Sequence, residues 1–279
     1  MTVKQVLARA RSVLNAASIE DAPFEAELLL RDTLKIDRVQ LYLDFDRELS
    51  PEQQETYWQR IERRLNHEPT AYIVGHREFY GLDFCVDSSV LIPRPESELL
   101  VDRAVELARN RPLSTIAEVG TGCGAIAISL ALNLPHTTIY ATDISTPALR
   151  VARRNCRRHG VENRVFLLTG DMLDPLPGPV DLIVTNLPYV RESELTGTIP
   201  LSREPRLALD GGPDGLEKIR CLCRQAGNKL RPGGVLLLEI GQGQAEAITA
   251  YLHNVLPSAE IELEPDLSGI ERVVSLTLH

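Results

Sequence analysis

The amino-acid sequence predicts an α/β fold: a mostly parallel sheet with one antiparallel strand, covered by helices on both faces and preceded by a small N-terminal helical bundle. Three observations carry this reading. After Pro112, short strand-like runs alternate with helical patterns, the signature of parallel strands joined by crossover helices. The last two strand-like runs, near 260–263 and 272–278, have no helix between them, so one inserts antiparallel. Up to about residue 68 the chain shows helical periodicity alone.

In the first segment, Val3, Val6, Leu7, Ala10, Val13 and Leu14 recur at helical spacing. A second helix begins near Asp21, with Pro23 early and Phe24, Leu28 and Leu34 among its apolar positions. Ser50-Pro51-Glu52-Gln53 carries a capping-box signature, and Tyr57, Ile61 and Leu65 follow at intervals of four. From Glu78 the period changes to two: Phe79, Leu82, Phe84 and Val86 suggest a short β-hairpin around Gly81. A helix follows over 96–109. Strands are then expected at 116–119, 138–142, 165–169, 182–185 and 235–240. Helices are expected at 125–134, 147–159 and 216–230, with a turn at Arg231-Pro232-Gly233-Gly234. Three parts result: a helical domain over 1–72, a β-hairpin linker over 73–94 and the α/β domain over 95–279.

Composition narrows the function. Hydrophobic residues at 43% and charged residues at 25% suit a globular chain, and no apolar run approaches the ~20 residues of a membrane span. Lys4, Arg9 and Arg11 break any secretory pattern, and helical periodicity from Val3 leaves no room for a transit peptide. Five scattered cysteines read as free thiols, so a cytoplasmic location is expected. A net charge of −9 argues against stable nucleic-acid binding, which rests on neutralising phosphates. One basic run, Arg150, Arg153, Arg154, Arg157, Arg158 and His159, reads as a solvated helix face with cations at its C-terminal end; the alternative is a patch for an acidic partner. The six histidines show no metal-ligand spacing, so no metal is expected.

Two motifs carry chemistry. Glu118-Val119-Gly120-Thr121-Gly122-Cys123-Gly124 closes one strand and opens a helix, a turn that brings backbone N–H groups close to a ligand. Dinucleotide enzymes use the same device, so the loop alone is weakly specific. Asp143 ends the next strand, 19 residues after Gly124, where a carboxylate can accept both hydroxyls of a ribose. Cys123 reads as a small residue filling a tight turn rather than as a nucleophile.

The second motif, Asn186-Leu187-Pro188-Tyr189, follows the strand Asp181-Leu182-Ile183-Val184-Thr185. An amide nitrogen is a poor nucleophile because its lone pair is delocalised. The Asn186 side-chain oxygen and the Leu187 carbonyl can accept its two hydrogens, fixing its orientation and favouring the charge that develops there. Tyr189 can stack on the planar group and exclude water.

This tetrapeptide resembles the Asn-Pro-Pro-Tyr motif of methyltransferases that modify nitrogen conjugated to a planar system. Tyr72-Ile73-Val74-Gly75 with Glu78-Phe79-Tyr80-Gly81-Leu82, Val90-Leu91-Ile92-Pro93-Arg94-Pro95-Glu96-Ser97-Glu98 and Glu204-Pro205-Arg206-Leu207-Ala208-Leu209-Asp210-Gly211-Gly212 are similar to the PrmC/HemK family. The resemblance spans nearly the whole chain. It implies a Rossmann-like class I methyltransferase sheet and N5-methylation of the glutamine in the Gly-Gly-Gln loop of class I peptide chain release factors. S-adenosyl-L-methionine would be the donor and S-adenosyl-L-homocysteine the product. By the same resemblance the helical domain contacts the release factor, and the enzyme is taken as a monomer. Gly120, Thr121, Gly122, Cys123 and Gly124 would line the methionine end, Asp143 the ribose and Met172 the adenine, with Asn186 touching cofactor and substrate. Asn186, Leu187, Pro188 and Tyr189 would bind the acceptor, Asn186 and Tyr189 being catalytic. Two departures stand out. Leu187 replaces the motif's first proline, which loosens the turn and adds an N–H, and Met172 stands where an aromatic is common. A nucleic-acid amino methyltransferase and a catalytically weak adaptor for release factors are the alternatives.

Overall fold

Thr2 and Ser50 each open a helix through a reciprocal capping box, with Gln5 and Gln53 as the returning side chains. The computed structural model describes residues 1–195 and 203–279, which form two compact units, Met1–Gly75 and His76–His279. The first unit contains α1 (Val3–Ala16), α2 (Ala22–Leu34), α3 (Arg38–Leu43), α4 (Pro51–Leu65) and α5 (Thr70–Val74). Its core joins Val3, Val6, Leu7, Ala10 and Leu14 of α1 to Leu29 and Leu30 of α2 and Tyr57 and Ile61 of α4. Two features differ from the periodicity reading. The short helices α3 and α5 go unannounced, because neither is long enough to show a repeat. Phe24 is 56% exposed, not core. The face of α2 that packs inward carries Ala22 and Ala26, small residues that let the neighbouring helices approach. Glu27 is buried on that face too, accepting from the Tyr42 hydroxyl at 2.9 Å and pairing with Arg38 at 2.8 Å, which pins α3.

The second unit begins with the hairpin β1 (His76–Phe79) and β2 (Leu82–Cys85). Its two-residue turn, Tyr80-Gly81, has positive φ at both positions (53° and 70°), the handedness that matches strand twist. Phe79 and Phe84 meet edge-on at 6.2 Å. Next come α6 (Glu98–Asn110), β3 (Thr115–Val119), α7 (Ala125–Asn133), β4 (Thr138–Asp143), α8 (Thr146–His159), β5 (Val165–Thr169), β6 (Val180–Thr185) and the single turn α9 (Glu192–Leu195). The unit closes with α10 (Glu217–Lys229), β7 (Leu230–Glu239), α11 (Ala245–Val255), β8 (Glu260–Pro265) and β9 (Glu271–Thr277). By contacts the hairpin belongs to this unit, not to a separate linker.

The seven strands run in the order β5-β4-β3-β6-β7-β9-β8, with β9 alone antiparallel to its neighbours. The chain winds outward from β3 in one direction and returns to β6 on its other side, which creates a switch point between β3 and β6. Arg231–Gly234, expected as a free turn, instead bulges out of β7: Val180 pairs Leu230 and Leu182 pairs Val235, so the ladder resumes beyond the extra residues. The basic run lies on α8, where Arg154 pairs with Asp87 at 2.6 Å, Arg157 with Glu162 at 3.2 Å and Arg158 with Asp83. Those pairs favour the solvated-helix reading of that run.

The helical unit offers a direct stability test, because its Trp58 is the chain's one tryptophan and packs against that unit's core. The buried Tyr57 hydroxyl donates to the Ala26 carbonyl at 3.0 Å, tying α4 to α2. Tyr57→Phe should therefore cost about 1 kcal/mol, read as a lower urea midpoint of tryptophan fluorescence. An unchanged midpoint would mean that the bond adds nothing to packing.

Candidate active site

Strand register creates the site. Val119 at the end of β3 pairs both Thr142 of β4 and Thr185 of β6, so three strand ends lie level and their loops emerge side by side. The glycine loop is fastened to this edge: Gly120 and Thr121 N–H groups donate to the Thr142 carbonyl at 2.9 and 3.0 Å. Thr185 Oγ1 donates to the Val119 carbonyl at 2.8 Å, joining the base of the Asn186 loop to β3.

Glu118 sits beneath the glycine loop, 2% exposed. Its carboxylate accepts from the Thr121 hydroxyl and from Ala127 N–H at 3.1 Å, and burial pushes it up to about 8. Asp143 accepts from Gly122 N–H and Ser145 N–H, both at 2.8 Å, and burial raises its pKa above the ordinary aspartate value. Each Asp143 oxygen has a second lone pair, so two hydroxyl donors can still be accepted. Cys123 is buried and its thiol is pushed up to about 12, which leaves almost no thiolate at neutral pH.

Gly120, Gly122, Asp143, Met172, Asn186, Leu187 and Pro188 line one cavity of about 900 Å³, counting its open mouth. Ile144, Leu207 and Ala208 add apolar wall, and Lys218 reaches the same space. A second cavity of about 410 Å³ shares Gly120, Gly122 and Asn186 and adds Thr121, Cys123, Arg94 and Ser97. Gly124 lines neither cavity; it is the N-cap position of α7. Tyr189 also lines neither. Its hydroxyl donates to Glu239 Oε1 at 3.2 Å, and burial with the nearby carboxylate raises its pKa. The two cavities meet at the glycine loop and Asn186, so they form one branched site.

Sequence reasoning passed over several residues that hold this site. Asn186 Nδ2 donates to Ser97 Oγ at 2.8 Å, and Ser97 donates to the buried Glu239 at 2.5 Å. Burial pushes Glu239 up to about 7, against the hydroxyl donors and Arg272. One sign was visible: Glu239 is a charged residue within an apolar strand. Glu204, also buried, accepts from Ile92 N–H at 3.1 Å and pairs with Arg94. Behind the acceptor loop, Val190 N–H donates to Leu209, Gly211 N–H donates to Val190, and Gln244 Nε2 donates to the Tyr189 carbonyl at 3.1 Å.

Comparison with known proteins shows the family of the chain. A release factor glutamine methyltransferase of Moorella thermoacetica is 43% identical over 274 residues, covering 98% of this chain and 97% of the relative. This chain belongs to that family. A second relative of the same name, from Geobacter sulfurreducens, is 40% identical over 98% of this chain and 95% of its own length. The PrmC N-terminal domain model matches residues 5–75 and the methyltransferase small domain model matches residues 96–201. In fold alone, a ribosomal protein L11 methylase from Lactobacillus delbrueckii subsp. bulgaricus is similar, with a TM-score of 0.52 at 22% identity over 70% of this chain and 84% of that one. The chain is therefore a methyltransferase, a class that uses S-adenosylmethionine. Among the described residues, no helix is long and apolar enough to cross a membrane.

Gly211 tests how tightly the acceptor loop is held. A Cβ there would fall 2.8 Å from the Pro188 carbonyl oxygen, 2.8 Å from Tyr189 Cα and 2.7 Å from the Gly215 carbonyl oxygen, all backbone. Gly211→Ala must displace that backbone, and a shift near 1 Å costs on the order of 10²-fold in turnover. We expect that loss in methyl transfer with S-adenosylhomocysteine affinity retained in titration calorimetry; wild-type turnover would show the loop to be compliant.

Proposed function

We propose that this chain methylates the side-chain amide nitrogen (N5) of the glutamine in the Gly-Gly-Gln motif of class I peptide chain release factors. The observation that carries the reading is Asn186 at the junction of the two cavities, its amide NH₂ held by Ser97. Family membership over nearly the whole chain, helical unit included, supports the choice of substrate.

The donor's sulfonium supplies an activated methyl group. Asp143 accepts the ribose hydroxyls through its remaining lone pairs. Met172, Ile144 and Leu207 give the base an apolar slot, with methionine in place of an aromatic wall. Gly120, Thr121, Gly122 and Cys123 border the methionine end, and Gly124 starts the helix behind it. Asn186 Oδ1 and the Leu187 carbonyl accept the two hydrogens of the substrate amide and orient its lone pair toward the methyl carbon. With the cofactor bound, methyl transfer to this nitrogen would release the sulfur as S-adenosylhomocysteine and leave the nitrogen acidic; it would lose one proton to solvent, so a strong base is unnecessary. Tyr189 supports the loop from behind through Glu239 and Gln244, in place of the stacking role that its position in the motif suggests.

Transfer of a labelled methyl group to purified class I release factor, to a variant lacking the motif glutamine and to nucleic acid separates the readings. Label on the intact factor alone supports glutamine methylation. Label on nucleic acid favours the amino methyltransferase alternative, and no label on any of them favours the adaptor. In the same assay Asn186→Ala should cut turnover roughly 10²–10³-fold, with cofactor affinity falling less. Near-normal turnover would remove Asn186 from the mechanism.

The helical unit we take as a docking surface for the release factor. Val39 and Leu43 of α3 are 70% and 74% exposed, large apolar side chains left in solvent, and Tyr42 of the same helix and Phe24 of α2 are exposed as well. Such groups gain by burial against a partner. Replacing Val39 and Leu43 together by serine should lower kcat/KM for intact release factor about tenfold, with kcat and cofactor affinity unchanged. An unaltered kcat/KM would remove α3 from the interface.

A further inference from the structure

Glu239 is a buried acid beside the site that takes no part in the proposed methyl transfer itself. It ends β7 at 1% exposure. Its Oε2 accepts from Ser97 Oγ at 2.5 Å and its Oε1 from Tyr189 Oη at 3.2 Å. Arg272 and Glu96 are the other charged groups that face it, and Arg272 is itself paired with Asp266 at 3.0 Å. Ser97 joins this carboxylate to the acceptor loop, because Asn186 Nδ2 reaches the same Oγ at 2.8 Å.

We infer that Glu239 is a positioning residue: by accepting the Ser97 hydroxyl it fixes which end of the Asn186 amide is left for the substrate. The argument is one of hydrogen count. In its ionised form, which the raised pKa places above about pH 7, the Glu239 carboxylate only accepts, whereas serine has a single hydrogen to give. Once that hydrogen is committed to Glu239, Ser97 Oγ must accept from its other neighbour. Asn186 can meet it only with Nδ2, which leaves Oδ1 for the hydrogens of an incoming amide. In the reverse orientation Oδ1 would stand against a Ser97 lone pair, two acceptors at hydrogen-bond distance. The amide NH₂ would then meet the substrate NH₂, donor against donor. Tyr189 completes the device, since its hydroxyl occupies the second carboxylate oxygen and the same residue closes the acceptor motif.

Replacement by glutamine shows why charge, and not shape, is decisive. Glu239→Gln has the same size but carries a donor on one arm. Either Ser97 or Tyr189 must then turn its hydrogen away; where Ser97 turns, its hydrogen can go to Asn186 Oδ1 and the amide orientation is no longer enforced. Most of the cofactor's contacts need none of this, because Asp143 and the glycine loop do not touch Glu239.

This inference rests on the reading of Asn186 as acceptor of the substrate amide, so the full-length wild-type chain is assayed alongside on intact class I release factor. Failure of the wild type to label the factor would overturn that reading itself. With wild-type transfer established, Glu239→Gln should lower kcat, and Ser97→Ala should lower it about 10- to 100-fold, as loss of an orienting partner does at other sites. KM for release factor and the calorimetric affinity for S-adenosylhomocysteine should stay within about twofold. Ser97→Ala removes one hydroxyl and is the variant to use if Glu239→Gln does not bind cofactor; it should show the same split between kcat and KM. The Ser97→Ala, Glu239→Gln double variant should be no slower than the slower single variant, because one chain of bonds is broken in all three. Wild-type kcat in Ser97→Ala would overturn the proposal, as would losses that multiply in the double variant.

Discussion

The parallel register of β3 with both of its neighbours is the constraint on which the site depends. Because Val119 stands level with Thr142 and with Thr185, the glycine loop, Asp143 and Asn186 leave the sheet at one edge. Shifting either neighbour along β3 would carry its loop about 3.3 Å per residue, more than a hydrogen bond can span. Register is itself held by burial: Ile116, Ala117, Ile139, Leu182 and Ile183 are all fully buried. A half-covered strand could slip; these cannot without exposing apolar surface on both faces. The chemistry at the edge is thus a consequence of packing well inside the sheet.

A level edge positions loops but does not stiffen them, and here each loop rests on a buried glutamate. Glu118 accepts from Thr121 and Ala127 under the glycine loop. Glu204 accepts from Ile92 and Arg94 under the segment that leads to α6. Glu239 accepts from Ser97 and Tyr189 under the acceptor loop. Burying a carboxylate is costly unless donors meet it. For Glu204 and Glu239 donors from residues far away in sequence do so, for Glu118 donors from its own loop and the following helix, and that makes the loop conformation a condition of the acid's being buried at all. The raised pKa values of Glu118 and Glu239 are the residue of that cost.

What could be read from the chain and what could not follows the same division between local and distant. The hairpin, the strands that edge the site and the capping box at Ser50 are written in nearby residues, and so were legible. So was the pairing of a glycine loop with Asp143, because a short strand spacing links them. Ser97 and Glu239 were not, since they lie 142 residues apart in the chain and meet only once the sheet has formed. Phe24 misled for a related reason: periodicity marks an apolar position, but the close packing of Ala22 and Ala26 decides which face turns inward. The bulge at Arg231–Gly234 reads locally as a turn; only pairing of β7 with β6 on both sides of it makes it part of a strand.

Leu187 is where the distinction bears on function. Read locally, leucine for proline loosens the turn, which is what a catalytically weak adaptor would show. In the folded unit the Leu187 side chain is 4% exposed and belongs to the main core cluster. Its Cδ2 lies 3.4 Å from where a Gly120 side chain would begin, so it packs directly across the glycine loop. Pro188 still biases Leu187 toward extended backbone. Thr185 ties the loop's start to β3, and Gln244 ties its end to α11. The rigidity that a proline ring would supply covalently is here supplied by burial and by bonds at both ends. Leu187 also couples the Asn186 loop to the glycine loop through its contact across Gly120. The substitution therefore gives no reason to separate this chain from its active relatives.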